Sequence, residues 1–198
     1  MENILLKGDI TKFDADVTVT AANSYLSGGG GVDGAVHRAA GPQLIKALSQ
    51  FKGCKTGDAV ITKGFNLNSK YIIHAVGPIY DYGKSWEDKF LYSANEKSIH
   101  LANKDNANSI LFPAISAGVY GYPLEPALNI AVNAISKTCI DNKINMEVFF
   151  VCFDELTFTV MQAILLNRGW GTSLLTVPRA NVKQFPYGEK SATKITIS

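Results

Sequence analysis

The chain has 198 residues, 46% of them hydrophobic and 18% charged, which suits one globular domain with a buried core and excludes bulk disorder. Nineteen basic against seventeen acidic residues leave a formal charge of +2, too small an excess for a broad nucleic-acid or membrane surface, though a local basic patch is compatible with it. The three cysteines, Cys54, Cys139 and Cys152, are odd in number and widely spaced, which argues against a disulfide framework and for a reducing compartment. The opening "MENILLKGDI" does not read as a signal peptide, and no apolar run approaches the ~20 residues that span a bilayer. A soluble, intracellular, cytoplasmic protein is expected.

Strand and helix patterns alternate along the chain. "NILLK" (3–7) and "DVTVTAA" (16–22) are short, apolar or β-branched, and read as strands. "GAVHRAA" (34–40) reads as one or two helical turns. Gly41 interrupts it, and Pro42 suits the first position of a new helix, "PQLIKALSQF". "AVITKGF" (59–65) and "YIIHAVG" (71–77) follow as strands joined by a polar "NLNS" turn. The second is nearly continuously apolar, as in a strand covered on both faces. A helix is predicted over 86–104, with Trp86, Phe90, Ala94, Ile99 and Leu101 as core positions. "SILFPAI" (109–115) is a buried strand. Over 124–139, Leu124, Leu128, Ala131, Val132 and Ile135 keep the spacing of one helical face. "MEVFFVCF" (146–153) is a strand, and 156–169 a helix that stops at Gly169. Such alternation implies parallel pairing and an α/β layered fold. Beyond Gly169 the period is lost, and the tail suits an extra strand pair, a packed extension or a disordered end.

Two glycine-bearing loops stand out. "NSYLSGGGGVDGAVH" (23–37) leaves the strand at 16–22 and opens the short helix. "SAGVYGYP" (116–123) leaves the strand at 109–115 and opens the long helix. In a parallel sheet both lie at the carboxyl edge, where α/β folds place ligands. Each offers backbone N–H groups free of side chains, next to a helix N-terminus that favours anions. One such loop is often only a loop. The pair, at equivalent strand ends, points to a phosphate-bearing ligand, and better to a diphosphate than to a lone phosphate. "GGGVDG" (29–34) matches the G-x-G-x-x-G pattern, but four consecutive glycines make the match nearly automatic and no acidic residue ends the next strand. "GPIYDYGKS" (77–85) resembles a Walker A loop with Pro78 where a glycine is required, and with Tyr80 and Tyr82 crowding the cradle. Neither is a convincing nucleotide motif.

Asn23, Asp33 and His37 border the first loop. Asp33 is placed as the helix N-cap, its ordinary role, and His37 one turn later. Their common position beside a ligand loop raises a catalytic reading, in which Asp33 orients a water or accepts a ligand hydroxyl and His37 fixes that carboxylate. No spacing of cysteine, histidine and carboxylate suggests a metal site, and no G-x-S-x-G elbow is present. Water is then the expected nucleophile of any hydrolase built here.

"GDIT" (8–11), "TAANSYLSGGGGVDGAVHRAAGP" (20–42), "GDAVITKGFNLNSKYIIHAVGP" (57–78) and "ISAGVYGYP" (115–123) stand in the order seen in the macro domains, and the chain resembles their MacroD-type ADP-ribose hydrolases over roughly residues 3 to 169. The resemblance implies a three-layer α/β/α domain over 1–170 with a mixed, mostly parallel central sheet, followed by an extension over 171–198. It implies ADP-ribose in the cleft. Asp9 matches the residue that binds the adenine amino group, with Ile10 beside it, and Phe153 or a near neighbour would stack on the ring. The segment 28–32, with Gly30, Gly31 and Val32, matches the loop at the distal ribose and diphosphate, with Ala22 at its strand end. Ser116, Ala117, Gly118, Val119 and Tyr120 match the second diphosphate loop. Asn23, Asp33 and His37 match the family's proposed catalytic set, Asn23 holding the ribose and His37 supporting Asp33.

The activity so implied is hydrolysis of the ester joining ADP-ribose to aspartate or glutamate of mono-ADP-ribosylated proteins, or of the acetyl ester of O-acetyl-ADP-ribose, by a monomer without cofactor or metal. A non-catalytic ADP-ribose reader is the alternative. A dinucleotide oxidoreductase is disfavoured because the ribose-binding carboxylate is missing, and nucleic acid and membrane are not expected partners. One departure stands out. Thr20 replaces the first asparagine of the family's Asn-Ala-Ala-Asn; it keeps one hydroxyl but loses the amide's reach, which predicts a local loop adjustment.

Overall fold

The computed structural model describes residues 2–168 and two later strands, Gly171–Leu174 and Ala192–Thr196. In chain order the elements are β1 (Glu2–Lys7), a short 3₁₀ turn (Ile10–Lys12), β2 (Val17–Ala21), α1 (Gly31–Ala40), α2 (Gln43–Leu48), β3 (Ala59–Lys63), β4 (Tyr71–Ala75), α3 (Ser85–Lys104), β5 (Ser109–Phe112), α4 (Leu124–Asp141), β6 (Glu147–Cys152), α5 (Glu155–Asn167), β7 (Gly171–Leu174) and β8 (Ala192–Thr196). The sheet order is β3-β4-β2-β5-β6-β1-β8-β7. The pairs β4–β2, β2–β5, β5–β6 and β6–β1 are parallel. The outer pairs β3–β4, β1–β8 and β8–β7 are antiparallel, so the sheet is mixed. The sheet is mixed and mostly parallel, as expected, and β3 pairs antiparallel with β4 because the tight "NLNS" turn, not a helix, joins them.

Strand residues alternate between two cores. Val17, Val19, Ile73, Ile110 and Phe112 pack against α3, α4 and α5, through Leu91, Ile99, Leu128, Ile135 and Leu165 among others. Ile72, Val76, Leu111 and Val151 pack against α1 and α2, through Val36, Ala40, Leu44 and Leu48. Each of the valines, leucines, isoleucines and Phe112 contributes about 1.5–3 kcal/mol on burial, and both faces of the sheet must be covered to collect it. That is why β4 and β5 read as nearly continuous apolar runs.

Helix α3 buries Ala94 and Ile99 as expected but turns Trp86 and Phe90 outward. Trp86 and Phe90 are 40% exposed and tilt against each other at 5.6 Å, while the buried stripe runs through Leu91, Ala94, Asn95, Ser98, Ile99 and Ala102. Asn95 and Ser98 tolerate burial because Asn95 Nδ2 donates to the Leu91 carbonyl (2.8 Å) and Ser98 Oγ to that of Ala94 (2.7 Å). Pro42 precedes α2 as its cap rather than serving as its first residue. The stop expected at Gly169 lies outside the described residues. Of the forms the tail admits, a strand pair extends the sheet from β1 at 171–174 and 192–196. The three cysteines are free and buried, and burial pushes the Cys152 thiol up to about 12. No helix among the described residues is long and apolar enough to cross a membrane.

His74 lies wholly buried in β4, opposite Thr20 of β2, with Nε2 3.0 Å from Thr62 Oγ1. Burial, aided by nearby His37, pushes its pKa down to about 3 from an ordinary value of 6.5. Between those values the unfolded chain binds the proton and the fold does not. Stability from this group is therefore present above about pH 6.5 and is lost as pH falls toward 3. Urea midpoints at pH 7.5 and 5 should show a smaller acid loss for His74→Gln than for the native chain; equal losses would place the sensitivity elsewhere.

Candidate active site

The first loop is shaped by Asn23. Its Oδ1 accepts the N–H groups of Tyr25 (3.1 Å) and Ser27 (3.3 Å), and its Nδ2 donates to the Gly28 carbonyl (2.8 Å). The amide expected to hold a ribose thus folds its own loop. The chain then enters α1 with Gly30 as N-cap, three residues before Asp33. Asp33 is therefore not the cap. It lies in the first turn, buried, because α1 begins three residues earlier than the apolar period suggested.

The glycines divide into two kinds. A Cβ on Gly34 would collide with the Gly29 carbonyl oxygen, and one on Gly28 would lie 3.1 Å from His37 Nδ1. These two are bare because the loop is folded down onto α1. A Cβ on Gly29, Gly30 or Gly31 would meet nothing within 4 Å. No packing among the described residues forbids a side chain on Gly29 or Gly30, and both border an open cleft.

The second loop reaches the same cleft. Ser116 is buried at φ +64°, its carbonyl accepting from Tyr122 N (3.0 Å). A Cβ on Gly77 would collide with the Ser116 hydroxyl, so the glycine of "HAVGP" is what seats that loop. Gly118 also faces open space, and Val119 is 92% exposed.

Between the loops lie two adjoining cavities of about 230 and 420 Å³, which share Gly31, Val32, Ala114 and Gly118 as walls. Together they fall in the range of roughly 300–1,000 Å³ typical of small-molecule sites. The first reaches Asn23, Asp33, Ser116, Val119 and Tyr120. The second reaches Asp9, Ile10, Ala117, Phe153 and Arg38. Asp9 Oδ1 accepts from Thr11 N (2.9 Å) and Thr11 Oγ1 (2.8 Å), leaving Oδ2 outside those bonds. Phe153 is 80% exposed beside Asp154, which caps α5 through Thr157 N (2.8 Å). Ala22 is buried with its N–H on the Ala75 carbonyl, and its neighbour Ala21 borders the first cavity instead.

Asp33 sits in a buried polar cluster. Thr20 Oγ1 donates to its Oδ1 (3.0 Å), and His37 Nε2 lies 3.7 Å from the same oxygen. Burial raises the Asp33 pKa above its ordinary value, opposed by the charge of His37 and the Thr20 hydrogen bond. The Tyr120 phenol is pushed up by burial and then by the Asp33 charge. Thr20 is itself fully buried, so the departure from the family's asparagine supports Asp33 from beneath and does not enter the cleft. Both ring nitrogens of His37 and Nδ1 of His74 are buried without a hydrogen-bond partner among the described residues. One atom each of Asp33, His37 and His74 lies within 4.8 Å of the others, the residues a cation would use here. A tetrahedral zinc would draw its ligand atoms to about 3.4 Å of one another, closer than the present 3.7 Å between Asp33 and His37.

Arg38, Ala35 and Ala114 escaped the sequence reading. Val32, Ala35 and Arg38 all border the second cavity at three-residue intervals, one stripe of α1. That spacing, counted from Val32, was the available signal. Ala114 lies two residues past β5, at the carboxyl edge where the loops were placed.

The macro domain family model matches residues 19–131. The chain belongs to the macro domain family. It is 47% identical over 151 residues to a macro domain-containing protein of Methanosarcina mazei, covering 76% of this chain and 81% of that one. It is 44% identical over 169 residues to an Escherichia coli protein named O-acetyl-ADP-ribose deacetylase, covering 83% and 96%. Among solved structures, the Oceanobacillus iheyensis macrodomain with ADP superposes with a TM-score of 0.79 at 38% identity, covering 83% of this chain and 90% of that one. The macro domain fold explains the mixed, mostly parallel six-strand core from β3 to β1 with helices on both faces.

Because the space above Gly30 is open, Gly30→Ala should lower the melting temperature of this macro domain by only a few degrees, the cost of alanine at an N-cap, while weakening ADP-ribose at least about tenfold, the cost of losing close backbone approach to a ligand. Scanning calorimetry and titration of ADP-ribose check both halves; unchanged affinity would mean the ligand does not lie against this glycine.

Proposed function

We propose that this macro domain binds ADP-ribose and hydrolyses esters on its distal ribose, both the acetyl ester of O-acetyl-ADP-ribose and the glutamyl or aspartyl ester of mono-ADP-ribosylated proteins. The observation that carries the reading is Asp33, a carboxylate buried at one end of a cleft walled by two bare glycine loops. The diphosphate lies between residues 28–32 and 116–120, held by backbone N–H groups and the α1 N-terminus. Adenine lies in the wider cavity, with Phe153 as its stacking face, Asp9 Oδ2 as acceptor for its amino group, and Arg38 alongside. The ester then falls at the Asp33 end. Relatives named O-acetyl-ADP-ribose deacetylase, and macrodomain structures holding ADP or ADP-ribose, support both ligand and reaction class.

Asp33 acts as general base. A carboxylate whose pKa is raised by burial takes a proton from water more readily than an exposed one. The water oxygen bonds to the acyl carbon, the bond from that carbon to the ribose oxygen breaks, and the proton held by Asp33 passes to the departing ribose oxygen. Thr20 and His37 keep the carboxylate in place, and Asn23 keeps the loop that faces the ribose. The three buried thiols fit a reducing cytoplasm.

Release of free ADP-ribose from O-acetyl-ADP-ribose and from a glutamate-linked mono-ADP-ribosylated protein should be lost by about 10²-fold or more in Asp33→Ala, with ADP-ribose affinity within a few-fold of native. Binding by both chains without turnover by either would make this domain a reader.

A further inference from the structure

Three loops leave the carboxyl ends of adjacent strands β4, β2 and β5 at the Asp33 end of the cleft. Each carries a large apolar side chain in water. Tyr25, two residues past Asn23, is 85% exposed; Val119, a wall of the first cavity, 92%; Ile79 and Tyr82, after β4, 64% and 94%. The β4 loop is built, not slack. Tyr80 N donates to the Tyr120 carbonyl (2.9 Å), which ties it to the cleft wall. Asp81 N donates to buried Glu87 Oε1 (2.7 Å), and Lys84 pairs with Asp81. Tyr82 is held at φ +60°, a conformation that side chains rarely adopt. This is the "GPIYDYGK" stretch that failed as a Walker loop. On the Tyr25 side, Cys54 N donates to the Ser24 carbonyl (2.8 Å), which brings Lys52 and Lys55 alongside. Both lysines are exposed, and neither has an ion-pair partner among the described residues.

We propose that this rim docks the acyl side of the substrate, and that its occupant is an acidic polypeptide segment flanking an ADP-ribosylated glutamate or aspartate. The inference rests on the ester-hydrolase reading. With adenine at the Phe153 end, whatever is esterified to the distal ribose leaves the cleft past Asn23, Val119 and Tyr120, onto this surface. An acetyl group ends inside the first cavity and needs no rim. A polypeptide must cross it, laying side chains on Tyr25, Ile79 and Tyr82 and carboxylates beside Lys52 and Lys55.

The test compares two esters and two chains. The substrates are O-acetyl-ADP-ribose and a glutamate-linked mono-ADP-ribosyl peptide with acidic flanks. The chains are native and a quadruple variant, Tyr25→Ser, Ile79→Ser, Lys52→Glu, Lys55→Glu, whose fold is verified by unchanged ADP-ribose affinity. The expected result is a fall of about tenfold or more in kcat/KM for the peptide ester, with the acetyl ester within twofold. Equal losses on both esters, or none on the peptide, overturn the proposal. Should the native chain cleave neither ester, the hydrolase reading fails, and the rim is judged on affinity. Native protein must then bind the modified peptide about fivefold or more tighter than free ADP-ribose, an advantage the variant lacks; equal native affinities overturn the rim as well.

Discussion

The carbonyl oxygen of Gly29 lies where a side chain on Gly34 would have to stand. That closeness folds the glycine run down onto α1, and the rest of the cleft depends on it. It brings His37 under Gly28 and leaves Gly29 and Gly30 facing open space rather than protein. Because α1 starts at Gly31, the free N–H groups of its first turn and its positive dipole end stand at the cleft. A loop with ordinary side chains would fill the space a diphosphate needs. The second loop reaches the same result by another route, with Ser116 seated against Gly77 and Gly118 left open.

Beneath the bare backbone lies a costly polar cluster. Asp33, His37, His74 and Thr20 share a small buried volume, in which Thr20 bonds Asp33, Thr62 bonds His74, and three ring nitrogens have no partner among the described residues. Unsatisfied buried polar groups each cost on the order of 1–3 kcal/mol, and a core built for stability alone would not keep them. Their place under the proposed reaction centre gives the strain a function. A carboxylate denied full solvation is a stronger base, and the surrounding groups fix where it points.

Much of this was legible in the sequence because the signals were local. Two glycine loops after two strands, each opening a helix, located the cleft without any coordinate. Asp33 and His37 were found for the same reason, four residues apart on a helix the loop opens. What stayed hidden is long-range or non-periodic. Asn23 was read only as a ligand contact because nothing local shows that its amide also shapes the loop through Tyr25, Ser27 and Gly28. Trp86 and Phe90 were read as core because apolar residues at helical spacing usually are. The true stripe hides Asn95 and Ser98, whose polar atoms bond back to their own helix. Thr20 and His74 meet only because β2 and β4 pair in register, a contact across 54 positions that no motif announces.

The central claim is that the backbone of the two loops, rather than any side chain, receives the diphosphate. Amide chemical shifts measured while ADP-ribose, and separately adenosine, is titrated into labelled protein test it most directly. The account expects the N–H signals of Gly29, Gly30, Val119 and Tyr120, which border only the first cavity, to move with ADP-ribose and stay nearly still with adenosine, while Ile10 and Phe153 respond to both. Glycine-loop amides that stay still as ADP-ribose saturates the protein would contradict it.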